Sequence, residues 1–248
     1  MIILSIFFFI TAILYSSVGF GGGSTYLALL LIWDIPYYIF PVIALVCNII
    51  VVTGNSINYL RAGNHNIKLL IPFLIGSIPL AFLGGTLKID KEIFEILLFL
   101  VLSIAGFLLL LNNKAYENKK IIIRKLNSIV SIIIGSILGF VSGVVGIGGG
   151  IFLSPILFLL KADKPKNIVT TASLFILVNS ISGVFGQLTK ESIFSELIIY
   201  LPLFLSVLIG GLLGNYINLK IFSNRVLALI TSLLVIFVAM RMGLKIFI

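Results

Sequence analysis

GVVGIGGGIFLSP, Gly143 to Pro155, puts four glycines into the five residues from Gly146 to Gly150, in the middle of an uncharged run of 35 residues, 126 to 160. A run this apolar reads as membrane-buried helix, and a glycine inside a helix costs roughly 1 kcal/mol relative to alanine. The oddity occurs twice. GFGGGSTYLALL, Gly19 to Leu30, carries the same GxGGG core 127 positions earlier.

The composition sets the class. Hydrophobic residues make up 60% of the chain and charged residues 10%, with a mean hydropathy of +1.27, far from the balance of a water-soluble domain. The uncharged runs are 1–33, 35–60, 69–87, 96–113, 126–160, 167–189, 197–219 and 226–240. A membrane helix needs about 20 such residues. Six of the eight runs fit one span each, the last if Arg241 and Lys245 snorkel. The first and fifth do not: 35 residues of helix would be about 52 Å long, too much for one span and short for two. Both GxGGG motifs lie in these overlong runs, so a break at the glycines, with new helices starting at about Ser24 and Ile151, is expected.

Further matches relate the two halves. WDIP holds Asp34 and Pro36, and ADKP holds Asp163 and Pro165, 129 positions on. At the same offset Thr53–Gly54 matches Ser182–Gly183, Asn58 matches Gln187, and Arg61 matches Lys190. Pro72 and Pro202, and LGGTL and LGNYI around Gly84 and Gly214, match at an offset of 130. The chain therefore reads as an all-α polytopic membrane protein of about eight hydrophobic segments. It would hold two homologous four-segment repeats, 1–111 and 126–248, each with a glycine-broken first segment, joined by a basic connector, 112–125.

Several matched residues have structural roles open to them. Asp34 and Asp163, each two residues before a proline, suit helix capping. Arg61 and Lys190 close helices at the lipid interface, with anion attraction into a vestibule as the alternative. Gly84, Gly85, Gly210, Gly211 and Gly214 suit close helix packing. Cys47, the only cysteine, reads as a small packing residue, and His65, the only histidine, lies in the polar stretch RAGNHNIK. No cysteine or histidine metal site and no cofactor is expected.

Lysine and arginine placement bears on orientation. Eight crossings would divide the basic residues ten against seven. If the broken runs instead enter and return, six crossings remain and twelve basic residues face five. The positive-inside rule favours the second arrangement. A repeat of one re-entrant hairpin and three spans is odd in number, so the halves would insert in opposite directions, with both termini outside the cytoplasm. MIILSIFFFITAIL lacks a basic leader and a cleavage pattern, so the first segment is expected to be retained.

Unwound backbone at membrane depth is tolerated only inside protein or beside a wet cavity. Glycine lets a ligand approach the main chain, and the helix begun after each break offers free amides and a positive dipole end. Two such starts would converge on one anion pocket. The main-chain candidates are Gly21, Gly22, Gly23 and Ser24 with Gly148, Gly149 and Gly150; the side-chain candidates are Asn48, Asn55, Ser142, Asn179 and Gln187. The alternative is a kink or packing surface without a ligand. Neither motif is followed by Lys-Ser/Thr, so a phosphate-binding loop is unsupported.

The interior of the runs is polar but neutral: Asn48, Thr53, Asn55, Ser56, Asn58 and Tyr59 in the second, and Thr170, Thr171, Ser173, Asn179, Ser180, Ser182 and Gln187 in the sixth. No carboxylate relay of the kind that carries protons is present there. No set of nucleophile, base and metal ligands can be assembled, so an enzyme is not expected.

GFGGGS (Gly19–Ser24), SGVVGIGGG (Ser142–Gly150) and TASLFILVNSISG (Thr171–Gly183) resemble the hallmark stretches of the TauE/SafE family of sulfite exporters, also called toluene sulfonate uptake permeases. The resemblance spans essentially the whole chain, although Phe20 stands in the first motif where the second has Ile147. It implies a multi-pass plasma-membrane transporter of small anions such as sulfite, sulfoacetate or related organosulfonates, exported or taken up. A passive anion channel, a carrier of a non-sulfur organic anion and a membrane subunit without transport of its own are the competing readings. The expected partners are a small anion and the lipid bilayer, with a homo-oligomer left open. The excess of nine positive charges sits in connectors and termini, which suits anionic lipid and gives no support to nucleic-acid binding.

Overall fold

The computed structural model describes residues 1–17, 19–111, 123–124, 126–190, 196–218 and six single positions between 233 and 244. Most of the basic connector, the last uncharged run and the basic residues Lys220, Arg225, Arg241 and Lys245 lie outside the described residues. The described chain is all helix and turn: α1 (Ile2–Ser16), α2 (Gly23–Ile32), α3 (Phe40–Arg61), α4 (Ile67–Thr86), α5 (Lys91–Leu111), α6 (Ser128–Val145), α7 (Gly150–Leu159), α8 (Pro165–Gln187) and α9 (Leu201–Asn218). Single 3-10 turns, Tyr37–Ile39 and Ile198–Tyr200, lead into α3 and α9.

Five of the described helical stretches are long and apolar enough to cross a membrane: Tyr37–Arg61, Ile67–Thr86, Ser128–Val145, Pro165–Gln187 and Ile198–Tyr216. The stretches containing α3 and α8 are 61% and 67% buried, against 33–39% for the other three, so α3 and α8 form the centre. Outward faces such as Ile71, Ile75, Ile133, Ile137, Leu205 and Leu212 are bare aliphatic surface. Hydrocarbon suits such a belt and water does not. The protein is a multi-pass membrane protein.

Each overlong run is broken at its glycines. The chain leaves α1 at Ser16 and begins α2 at Gly23; it leaves α6 at Val145 and begins α7 at Gly150. The caps of the new helices are Gly22 (φ 87°) and Gly149 (φ 76°), in a left-handed conformation that any Cβ disfavours by roughly 1–2 kcal/mol. The starts fall one residue earlier than expected, at Gly23 and Gly150 instead of Ser24 and Ile151, because a left-handed glycine directly before the helix already supplies its first carbonyl.

Both broken runs fold back on themselves. The Arg124 amide, just before α6, donates to the Lys161 carbonyl just after α7 at 3.0 Å, so this hairpin starts and finishes at one end of the bundle. In the first run Trp33, after α2, packs its ring at a tilt against Phe7 of α1 with ring centroids 5.6 Å apart. With ten residues each, α2 and α7 are about 15 Å long, half of a hydrocarbon layer.

Glycines set the packing. Along α6, Gly135, Gly139 and Gly143 recur every fourth residue, and a Cβ on each would meet the backbone of Phe73, Ser77 and Ala81 of α4. Along α9, Gly210 and Gly214 lie in the same way on the carbonyls of Phe9 and Ile13 in α1. These are the close backbone approaches that small residues allow in membranes. Gly84 and Gly85 serve the same purpose against Phe140 and Gly183. Gly211 does not: a Cβ there would find only ordinary contact with Val51 at 3.6 Å.

The capping expectation fails for Asp34. Its φ is +49°, its amide donates to Leu31, and it closes α2 instead of opening α3. Lys161, with φ +51°, closes α7 in the same manner, and the two stand 127 positions apart like the glycines. Asp34 therefore corresponds in local conformation to Lys161, and the change of offset to 129 falls in the turn before α8. Asp163 is not the cap of α8 either: that position is Lys164, without a side-chain cap bond. One residue earlier, Asp163 accepts from the Lys164 amide at 2.7 Å and from the Asn167 side chain at 3.1 Å, while Asn66, the N-cap of α4, donates to its other oxygen at 2.6 Å.

Candidate functional site

The two breaks meet at the middle of α3. Asn48 is fully buried and donates through Nδ2 to the carbonyl of Ile147 at 3.1 Å, inside the second break. A Cβ on Gly21 would run into the Asn48 side chain. One on Gly23 would lie 2.7 Å from Asn48 Nδ2 and 2.8 Å from the Ile147 carbonyl, and one on Gly148 2.8 Å from the same Nδ2. The start of α2 thus abuts the second break directly, with Asn48 between them.

α8 closes the other side. Gly148 rests on Ile176 and Ser180, and Gly150 packs so closely on Ile176 that no side chain fits between them. Gly149 lies against the Phe175 ring and Gly22 against Tyr15 and Tyr26. Tyr15 also bonds Thr25 at 2.7 Å and, weakly, Ser24 at 3.4 Å, fixing the first turn of α2 onto α1.

The polar groups divide into used and unused. Thr53, Thr170, Thr171 and Asn179 bond carbonyls of their own helices four residues back, at 2.6–2.9 Å. Ser56 meets Ser173 at 3.1 Å between α3 and α8, Asn58 donates to Asn215 at 3.1 Å, and Ser182 donates to Ile78 at 2.7 Å. In contrast, Asn48 Oδ1, Asn55 Nδ2, Ser142 Oγ, Asn179 Oδ1 and Ser180 Oγ are buried without a protein partner. A buried polar atom left unpaired costs about 1–3 kcal/mol; Ser5, Tyr26, Ser77 and Ser154 carry such atoms as well, so being unpaired does not by itself mark the centre.

The sequence candidates separate accordingly. Gly21, Gly23 and Gly148 all lie against Asn48, while Gly22, Ser24, Gly149 and Gly150 form the helix starts beside them. Asn55 lies two turns further along α3, where Ser16 donates weakly to its Oδ1 at 3.5 Å. Gln187 is apart from this centre and fully used: Nε2 donates to Gly143 and Oε1 accepts from Lys190, both at 2.8 Å. Ser180, beside Gly148 and unpaired, belongs to the centre although the glycine motifs did not single it out; its sequence signal is the Asn179–Ser180 pair in an apolar run.

A polytopic helical membrane protein with two glycine-broken hairpins meeting at a polar centre is the class these features define. The sequence pattern described as "Sulfite exporter TauE/SafE" matches residues 4–242, and the chain belongs to that family. It is similar to a "probable membrane transporter protein" of Sinorhizobium fredii, 27% identical with 93% of each chain covered. It is also similar to one of Methanocaldococcus jannaschii, 29% identical with 91% of this chain and 89% of that protein covered. A Bacillus subtilis protein of the same description is 24% identical over 89% of each. No solved structure matches the chain.

Proposed function

We propose that this protein is a secondary transporter that moves a small anion, sulfur-containing such as sulfite, sulfoacetate or another organosulfonate, across the plasma membrane. The observation that carries the reading is the contact of Gly23 with Ile147 around Asn48: the start of one half's short helix lies against the other half's break. At the centre, amides of the first turns of α2 and α7 present positive dipole ends, and the Ser180 hydroxyl beside Gly148 is free to donate; Ser142, on α6 before the second break, carries a second unpaired hydroxyl. The anion's charge would be met by dipoles, with no buried cation required. The unpaired oxygens of Asn48 and Asn179 suit a substrate that carries an O–H or N–H beside its charge.

The proposed mechanism is alternating access between two inverted repeats, 1–111 and 126–248, joined by 112–125. The crosswise packing supports it: α1 of the first half lies on α9 of the second, and α6 of the second lies on α4 of the first. Gly84 on Phe140 and Gly214 on Ile13 are the paired contacts, with Phe140 and Ile13 separated by the same 127 positions as the glycine breaks. Rocking of one tight seam against the other about the central α3–α8 pair would open the centre to each side in turn.

The test is sulfite flux in proteoliposomes with an imposed ion gradient. Accumulation above the outside concentration, lost in Gly149→Val, supports a coupled transporter. Equilibration without accumulation points to a channel, and no flux of any anion contradicts both.

A further inference from the structure

Where α4 and α8 finish, a cavity of about 320 Å³ opens above the glycine centre. Its volume lies in the range that holds small organic ligands. Phe94, Leu87 and Val144 form its apolar wall, and Lys88 and Lys190 supply positive charge. Pro41, also in the wall, packs its backbone against Gly146 of the second break, where an added Cβ would come 2.5 Å from the Pro41 Cα. The cavity and the break are therefore one residue apart.

Lys190 is held from below. Its Nζ donates to Gln187 at 2.8 Å, and Gln187 in turn donates to the Gly143 carbonyl on α6. Burial, and then the neighbouring Lys88, lowers its pKa from 10.5 to about 8. The other titratable groups lining the cavity are Glu196, Tyr37 and Tyr38, and the Glu196 carboxylate accepts from the Tyr38 hydroxyl at 2.7 Å. Among the described residues neither lysine has a carboxylate within ion-pair distance, so Lys88 and Lys190 repel each other across a cavity whose one described carboxylate, Glu196, is bonded to Tyr38. A ligand with an anionic head and an apolar body satisfies both features of the site.

We propose that this cavity is an anion-binding vestibule, in which an organic anion sets its charged head between Lys88 and Lys190 and its apolar body against Phe94, Leu87 and Val144. Onward passage to the glycine centre rests on the transport reading; the binding does not. Because Lys190 loses its proton near pH 8, the vestibule releases its anion as pH rises through that value.

Calorimetric titration of benzenesulfonate into the purified full chain in detergent, at pH 7 and pH 9, tests it. Wild-type affinity should fall about tenfold between the two, as a group with pKa 8 changes from mostly charged to mostly neutral. Lys190→Arg, charged at both, should hold its affinity within about twofold. Lys88→Gln should bind more weakly at both, and Gly211→Ala, which lines neither the cavity nor the centre, should bind like wild type at both. Failure of the wild type to bind, an affinity independent of pH, or lysine variants that bind like wild type would overturn the vestibule. Flux that survives such a result leaves the transport reading standing. Vestibule binding without flux removes transport and keeps the vestibule.

Discussion

Asn48 reaches from the middle of α3 to the carbonyl of Ile147, 99 positions away in sequence, and bonds it at 3.1 Å. This one bond ties the second break to α3, at the residue on which Gly21 and Gly23 of the first break also pack. Removing it with Asn48→Leu leaves the carbonyl without its partner, at a cost of about 1–3 kcal/mol. The expected outcome is a small drop in thermal midpoint in detergent with a much larger loss of anion binding. A variant that binds anions normally would place the site elsewhere.

Gly149 and Gly63 make a matched pair for the backbone. Both have left-handed φ, +76° and +71°, but a Cβ on Gly149 would sit 2.9 Å from the Phe175 ring, while Gly63 faces open space. Gly63→Ala should cost only the conformational penalty, roughly 1–2 kcal/mol. Gly149→Ala should cost that and the contact as well, and equal melting temperatures for the two variants would contradict the close approach.

The α4–α6 seam gives a second contrast. Gly139→Ala drives a methyl into the backbone of Ser77 and should destabilise by about 1–3 kcal/mol. Gly211→Ala meets only ordinary contacts and should melt within about 0.5 kcal/mol of wild type.

Lys190 makes stability depend on pH in a defined direction. Its folded pKa, about 8, lies below its unfolded 10.5, so between these values the unfolded chain binds more protons and stability rises with pH. Below pH 8 the cost of burying the charge is fully present. Thermal melts from pH 7.5 to 10.5 should show this rise for wild type and lose most of it in Lys190→Gln.

Much of the architecture was legible. Apolar runs gave the membrane class and the long helices, and overlong runs with GxGGG located both breaks to within one residue, because helix length and left-handed glycine are local properties. What depended on tertiary geometry was less visible. Asp34 carries a capping residue's sequence context, yet the turn that ends α2 claims its backbone first. Gln187 looked like a ligand group because it is a buried amide, but Gly143 and Lys190 use both ends of it. The pairing of Lys88 with Lys190 joins two loops 102 positions apart, which no periodicity reports.

The central claim is that the two glycine breaks together hold an anion. The direct measurement is the thermal midpoint of wild type and Gly149→Val, with Gly211→Ala as control, against sulfite, sulfate, thiosulfate, sulfoacetate, taurine, acetate and chloride. At a hundred times its dissociation constant a true ligand stabilises the folded state by about 2.7 kcal/mol. The account predicts that one sulfur anion stabilises wild type and Gly211→Ala but not Gly149→Val. Equal stabilisation of all three, or of none by any anion, would contradict it and return the glycines to packing alone.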